Sequence, residues 1–412
     1  MNEILKMFRE CGEIISGEML TKDVEPKILF DAGGKVIATR DGADVSNLQE
    51  EDLVVMKMKR LPIVGTGIRA MVYSQTYYCK KCLEEAIPFR ASLDDMAQII
   101  GNAVYIADGR KADRAAGKSL KKALKHSNGC MVFRGANSKG KGVGYNITVG
   151  RSLKEAATAL TVMEKAAAAE WKADKLGGSV PLEKNDVKAM QRNYLKNYSQ
   201  QTRQEESIPL DNFPQEEQEL RKQLVHYGNR LADEKLVQGT WGNLSIRLND
   251  DEMLVTPSGI PYDQLTPEDM VKVNFRTLAH TGKNRPTSEK ELHAEIYQAR
   301  EDVGAVVHAH SDYASVFACA CKSMPVPSKE KEMRKRFGAL IPVAAYAAPG
   351  THQLAANTCA ALGEGRAAIM AHHGMVVCGT DMEDAFKAAL QFEELGKVSW
   401  YEYDKYDDEE EE

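Results

Sequence analysis

Apolar residues fall at helical spacing in a few long stretches and at strand spacing in several short ones. An Ala-rich pattern over 153–174 predicts a long helix, closed by Gly177-Gly178. Residues 215–236 repeat apolar positions at helical spacing with acidic residues first, which suits the positive end of a helix dipole. Leu244-Ser245-Ile246-Arg247-Leu248 alternates as a half-buried strand does, and Met253-Leu254-Val255 predicts a second strand ending at Pro257. Ser288–Arg300 predicts a helix, because Ser or Thr ahead of Glu marks a helix start. Ala305-Val306-Val307-His308 predicts a buried strand, Ala367–Val377 another, and 382–402 a long amphipathic helix. Helices and strands alternate irregularly, and some strands follow each other through turns alone. That order predicts α/β layers on a mixed or antiparallel sheet rather than a doubly wound one.

The pattern also recurs. Residues 35–56 (KVIATRDGADVSNLQEEDLVVM) and 252–273 (EMLVTPSGIPYDQLTPEDMVKV) share a strand, a Thr-x-x-Gly turn, a polar stretch and an acidic pair before the next strand, at an offset of 217. Met71-Val72-Tyr73-Ser74-Gln75 matches Val306-Val307-His308-Ala309-His310 at 235, and the helices from Leu153 to Trp171 and from Met382 to Trp400 match at 229. Three matches in one order predict a duplicated chain. Between the copies lies a polar segment with Pro181, a basic helical stretch and Ser199-Gln200-Gln201-Thr202-Arg203-Gln204-Glu205-Glu206, read as a linker holding one helix.

Composition changes this picture little. Of 412 residues 43% are apolar and 28% charged, an ordinary globular mixture long enough for two or three domains. A net charge of −6 gives no whole-chain argument for nucleic acid, and an anionic substrate needs a local positive site. No apolar run is long enough to span a bilayer, and Met1–Lys6 lacks the apolar core of a signal peptide, so a cytoplasmic protein is expected. Eight cysteines with a single CxxC, Cys79 to Cys82, read as reduced, partly buried thiols rather than a zinc site. The terminal Asp407-Asp408-Glu409-Glu410-Glu411-Glu412 reads as a solvated acidic tail.

Candidate chemistry gathers in the second copy, where eight of nine histidines follow residue 225. In His308-Ala309-His310 the two imidazoles point to one face of a strand and can reach one metal ion. His372-His373-Gly374 supplies a third ligand, and three neutral histidines leave an open coordination position. Alone, the HxH is as readily two unrelated strand residues. Thr287-Ser288-Glu289 leads into His293, and Glu289 and His293 share a helix face. Glu289 reads either as a helix-dipole partner or as a proton-transfer base with a pKa raised by partial burial. Gly239-Thr240-Trp241-Gly242-Asn243, Thr256-Pro257-Ser258-Gly259 and Thr287-Ser288 offer hydroxyls and backbone N–H groups for a phosphate without arginine.

These motifs in this order (GTWGNLSIRL, LVTPSGIPYDQLTPEDM, RPTSEKELHAEIY, AVVHAHSDYAS, IPVAAYAAPGT and AHHGMVVCG) resemble the class II aldolase/adducin family over residues 213–405. The resemblance implies a divalent metal, usually zinc, on His308, His310 and His373, His373 being the ligand because it immediately precedes the glycine. It implies phosphate binding by Thr240, Asn243, Ser258, Gly259, Thr287 and Ser288, and Glu289 as acid/base. The family's epimerases carry Asp where Glu289 stands, which favours carbon–carbon cleavage, whereas Trp241-Gly242-Asn243 looks more like the epimerases. The implied reaction cleaves a ketose 1-phosphate to dihydroxyacetone phosphate and an aldehyde through a metal-stabilised enediolate. Tyr401, Tyr403 and Tyr406 are candidates for a tail tyrosine, with no alignment to place one. An epimerase, dehydratase or decarboxylase of the same fold, or an adducin-like scaffold without activity, is the alternative.

The resulting expectation is two class II aldolase-like domains, each a layered α/β/α with a mainly antiparallel sheet: a degenerate, non-catalytic 1–177, a linker 178–212, a catalytic 213–405 and the tail 406–412. In the first copy Tyr73 and Gln75 replace the HxH, Thr39-Arg40-Asp41-Gly42 replaces TPSG, and the segment near Phe133-Arg134-Gly135 has no histidine. By the same resemblance a homo-oligomer is expected, a dimer of tandem chains imitating a tetramer or a tetramer itself, acting on a small sugar phosphate and on neither nucleic acid nor membrane.

Overall fold

The computed structural model describes residues 2–61, 67–110, 113–198, 209–237, 240–282 and 284–403. The acidic tail, Tyr406, Gly239 and the stretch Ser199–Glu206 lie outside the described residues. The chain divides into two compact units, Met1–Trp171 with Pro181–Arg192, and Lys172–Val180 with Asn193–Glu412. No described helix is long and apolar enough to cross a membrane.

In the first unit, strands β1 (Lys27–Asp31), β2 (Val36–Thr39), β3 (Leu53–Val55), β4 (Ala70–Ser74), β5 (Phe89–Arg90), β6 (Ala103–Asp108), β7 (Gly129–Ala136) and β8 (Gly142–Gly150) form one sheet in the order 3-2-1-4-8-7-6-5. Only β6 and β7 run parallel. Helices α1 (Asn2–Ser16) and α5 (Leu153–Ala173) cover one face, where Phe8, Cys11 and Leu160 bury against Ile28 and Val72. Helix α2 (Tyr77–Glu84) follows β4, and α3 (Asp94–Ile99) and α4 (Asp113–Ala123) flank β6. Helix α6 (Lys184–Asn193), the one expected in the linker, groups with this unit and buries Val187 and Met190. Cys79 and Cys82 are buried on α2, and burial pushes both thiols up, so they stay protonated.

In the second unit, β9 (Asn243–Arg247), β10 (Glu252–Val255), β11 (Val271–Asn274), β12 (His280–Thr281), β13 (Ala305–Ala309), β16 (Val343–Ala344), β17 (Ala367–Met370) and β18 (Gly374–Gly379) form a sheet in the order 12-11-10-9-13-18-17-16, with β14 (Met324–Pro325) and β15 (Leu340–Ile341) pairing apart. Again one pair, β16 and β17, runs parallel. Helices α8 (Lys290–Ala299) and α11 (His352–Leu362) pack Leu292, Ile296 and Leu354 onto Val255, Val306, Met370 and Val376. Helices α7 (Gln215–Asp233), α9 (Asp312–Ala320) and α12 (Met382–Tyr401) accompany the sheet, and a short α10 (Lys331–Phe337) precedes β15. The expected strand Ala367–Val377 is in fact two antiparallel strands. Ala371–His373 forms the turn between them, with His372 in the left-handed region at φ 63°. Periodicity cannot see such a turn, because every residue from 367 to 377 is buried.

Each sheet considered by itself shows the same internal pairing. Phe30 pairs with Ala70 and Ile37 as Ile246 pairs with Ala305 and Leu254. Gln49 with Asp52 and Thr266 with Asp269 close equivalent capping boxes. A glutamate on each long last helix, Glu164 buried and Glu393 half-buried, caps the helix after the central strand. Glu164 accepts from the Thr76 hydroxyl and from the N–H groups of Tyr78 and Cys79, and Glu393 from the Ser311 hydroxyl and the N–H groups of Tyr313 and Ala314. Each carboxylate serves orphan helix donors that the cap side chain leaves unmet. Replacing Glu164 or Glu393 by Ala is expected to destabilise its own unit by about 2–4 kcal/mol. Hydrogen exchange of the α2 or α9 amides checks this, and unchanged protection refutes the capping role.

Candidate active site

The site grows from one end of the sheet face beneath α8. His308 pairs in register with Asn243, and Val306 with Ser245, so these four side chains share that face. Gly242 makes the approach of β9 possible. At φ 90° its backbone passes so close that a Cβ would lie 2.8 Å from the His308 carbonyl oxygen. His310 follows two residues after His308, and His373 enters from the turn. The left-handed His372 donates its N–H to Ala318, and its ring stands edge-on to Tyr346, apart from the triad.

His308 Nε2 lies 2.9 Å from His310 Nε2 and 3.0 Å from His373 Nε2, and all three rings are buried. The Nδ1 of His308 faces the Met375 carbonyl oxygen at 2.8 Å. A carbonyl only accepts, so Nδ1 carries the proton and the Nε2 lone pair points into the cluster. Three ring nitrogens whose lone pairs converge in a buried pocket repel each other unless a cation lies among them. Their spacing approaches the roughly 3.3 Å that tetrahedral ligation at zinc–nitrogen lengths gives. The donor set therefore fits a borderline divalent ion.

Glu289 stands at the N-terminal boundary of α8, buried, with its carboxylate turned to the cluster rather than to the helix N–H groups. Its Oε2 lies 3.1 Å from His308 Nε2 and its Oε1 2.9 Å from His373 Nε2. Burial alone pushes Glu289 up, but His308, His373 and a hydrogen bond from Asn243 outweigh it and hold the carboxyl well below its ordinary range. This reverses the raised pKa expected from the sequence, which counted burial but not the neighbours. Burial pushes His308 well below its usual range, so with this imidazole neutral the downward push on Glu289 needs a cation at the cluster and otherwise falls to the Asn243 hydrogen bond.

Behind Glu289 runs a chain of hydrogen bonds whose directions are fixed. Asn243 Nδ2 donates to Glu289 Oε2 at 2.9 Å, so Asn243 Oδ1 accepts from His293 Nε2 at 2.5 Å. His293 Nδ1 then accepts from Ser245 Oγ at 2.6 Å, and Ser245 accepts from the Tyr297 hydroxyl at 2.8 Å. The chain requires a neutral His293, and burial pushes this group down to about 4. Because the folded pKa lies below the unfolded 6.5, unfolding takes up a proton between the two. The contribution is present above pH 6.5 and is lost as pH falls towards 4, by about 3 kcal/mol in all. Urea midpoints of wild type and His293→Gln across this window check it: the variant is expected to show the flatter profile, and parallel profiles refute the assignment.

The structure brings His308, His310, His373, Glu289 and Asn243 into direct contact distance. Thr287 joins them through its hydroxyl, which accepts the Glu289 N–H at 3.3 Å. Ser258 and Gly259 sit in a turn tied to the Thr287 segment, Ser258 N–H donating to Arg285 and Thr287 N–H to Thr256. Ser288 is exposed ahead of α8 beside Gly350. Thr240 is exposed and makes no hydrogen bond to the cluster among the described residues. Asn243, expected on phosphate, has both ends of its amide engaged by Glu289 and His293. Sequence reading missed Ser245 and Tyr297, although Asn243/Ser245 at i,i+2 and His293/Tyr297 at i,i+4 were the available signal.

Comparison with known proteins bears on this geometry. The Class II Aldolase and Adducin N-terminal domain matches residues 222–400. The chain is 36% identical over 181 residues to the 5-methylthioribulose-1-phosphate/5-deoxyribulose-1-phosphate aldolase of Rhodospirillum rubrum, covering 44% of this chain and 80% of that protein. It is 34% identical over 183 residues to the L-fuculose phosphate aldolase of Escherichia coli O6:H1, covering 44% and 83%. A solved L-fuculose 1-phosphate aldolase superposes with a TM-score of 0.42 at 32% identity, over 44% of this chain and 84% of that one. Through its second unit, the chain belongs to the class II aldolase and adducin family.

Proposed function

We propose that the second unit is a metal-dependent aldolase, a lyase that cleaves a ketose 1-phosphate to dihydroxyacetone phosphate and an aldehyde. The observation that carries the reading is the convergence of three ring nitrogens, those of His310 and His373 lying within 3.0 Å of His308 Nε2, with the Glu289 carboxylate 3.1 Å from it. His308, His310 and His373 would hold the ion, zinc by the nitrogen donor set. When bound, a divalent ion supplies Lewis-acid polarisation of the ketose carbonyl and hydroxyl oxygens. In cleavage the hydroxyl on the departing carbon gives up its proton as the carbon–carbon bond breaks and its carbon becomes the aldehyde. Glu289, ionised at rest, takes up a proton and delivers it to the carbon that keeps the bonding pair, and it removes that proton from dihydroxyacetone phosphate in the reverse direction. Asn243 and His293 hold the carboxylate in place. Thr240, Ser258, Gly259, Thr287 and Ser288 receive the phosphate ahead of α8, where N–H groups and the helix dipole favour an anion. The test supplies zinc to the full chain with L-fuculose 1-phosphate and 5-deoxyribulose 1-phosphate, the substrate classes that its relatives' names carry, and follows dihydroxyacetone phosphate by a coupled dehydrogenase. Release from either supports the reading. No release from protein that holds its zinc overturns it.

The same reading makes the first unit a degenerate copy without catalysis. Its support is the shared strand order and register, together with what is missing. Fourteen residues separate β3 from β4, against thirty between β11 and β13, and the described ones among the fourteen form no counterpart of α8. The assembly that goes with it is a homo-oligomer, and a monomeric mass by light scattering overturns that part.

A further inference from the structure

The first unit keeps a cleft where the second has its histidines. In register, Tyr73 and Lys27 pair on β4 and β1 as His308 and Asn243 pair on β13 and β9, and Gln75 stands two residues on, as His310 does. The third ligand position is closed by packing as well as by sequence. The counterpart of His373 at the start of β8 is Gly144, where a Cβ would fall 1.8 Å from the Val132 carbonyl oxygen. Gln75 Nε2 donates to the Gly144 carbonyl at 2.5 Å, using the position a metal would need. Three residues, 371–373, join β17 to β18 inside the Met370–Gly374 pair, whereas twelve, 133–144, lie inside the Val132–Tyr145 pair, so a longer hairpin walls the cleft.

The cleft holds about 870 Å³, lined throughout by residues of the first unit. That is the size of a small-molecule site, roughly 300–1,000 Å³. Its lining is polar and strongly charged. Lys27 pairs with Asp41 and Lys80 with Asp23, which neutralises both ammonium groups and leaves carboxylate lone pairs for hydroxyl donors. Arg134 lines the same cleft, is exposed, and has no ion pair among the described residues. Tyr73 and Tyr145 pack with centroids 4.1 Å apart and ring planes tilted by 35°, presenting ring surface, and burial pushes the Tyr145 phenol up to about 12, so it remains a donor. Glu84 pairs with Lys141, and Glu25 accepts the Gly42 N–H, so the carboxylates serve as acceptors and Arg134 is the lining cation outside an ion pair among the described residues. With the aromatic wall this suits a polyol whose one anionic group sits on Arg134, away from Glu25.

We infer that this cleft is a second, metal-free binding site that takes a hydroxyl-rich small molecule with one terminal anionic group, a sugar phosphate or a sugar acid, with the anion on Arg134. It stands apart from catalysis, and the two sites are read in separate peptides. The test is hydrogen exchange by mass spectrometry on full-length Glu289→Gln protein with fructose 1-phosphate, gluconate or neutral fructose. Slowed exchange across 133–144 with fructose 1-phosphate or with gluconate is expected, and which of them acts identifies the anion. Arg134→Glu should weaken this protection by about tenfold or more in ligand concentration, while leaving any protection of 371–379 unchanged. No protection of 133–144 by either anion, protection equal in Arg134→Glu, or equal protection by neutral fructose overturns the assignment.

Discussion

Glu289→Gln is expected to lower dihydroxyacetone phosphate release about 10²- to 10⁴-fold, the range a positioned acid/base contributes, with zinc content unchanged. The side chain keeps its shape and its place at the head of α8, buried beside His308 and His373. What it loses is the site for a proton. Asn243 donates to the Glu289 carboxylate, so a glutamine oxygen in that position preserves the contact and the chain back to Tyr297. An effect on kcat without an effect on KM follows, because no phosphate-binding group is touched. The Asn243 hydrogen bond favours the ionised carboxylate, so Glu289 acts first as a base. Undiminished turnover in the variant, or loss of zinc with it, removes Glu289 from this role.

The long elements were legible because each carries one strong periodicity. The pattern over 215–236 became α7 at Gln215–Asp233, and that over 382–402 became α12 at Met382–Tyr401. His308 and His310 were legible because a strand puts i and i+2 on one face, and Glu289 because a helix start places it there. Three things were not legible, for different reasons. The break at Ala371–His373 needs a left-handed His372, a backbone state that composition does not announce. The chain from Tyr297 through Ser245 to Asn243 spans a helix and a strand whose pairing only tertiary packing sets. The sign of the Glu289 shift depends on which charges lie within about 3 Å, and no spacing rule encodes that. The last two failures sit where side chains from separate elements meet, and the first is the turn that carries His373, so all three lie at the candidate chemistry.

Replacing His308 and His310 together by Ala is expected to take zinc from about one per chain to none and to abolish cleavage, because two of three ligands go. The double variant also relieves an apo problem: two of the three buried nitrogens with facing lone pairs are gone, so the metal-free fold loses a repulsion while gaining a cavity. Zinc should therefore stabilise the wild type strongly and the variant not at all, since an ion that binds only the native state adds stability by mass action. Elemental analysis of untagged protein re-supplied with zinc, beside melting with and without the ion, reads both effects. His372→Ala is the control within the same turn: its ring faces Tyr346 rather than the triad, so zinc content should persist even if the turn itself is weakened. Zinc retained by the double variant, or absent from wild type after re-supply, defeats the three-histidine site and with it the aldolase reading, and leaves a scaffold as the better account of the second unit.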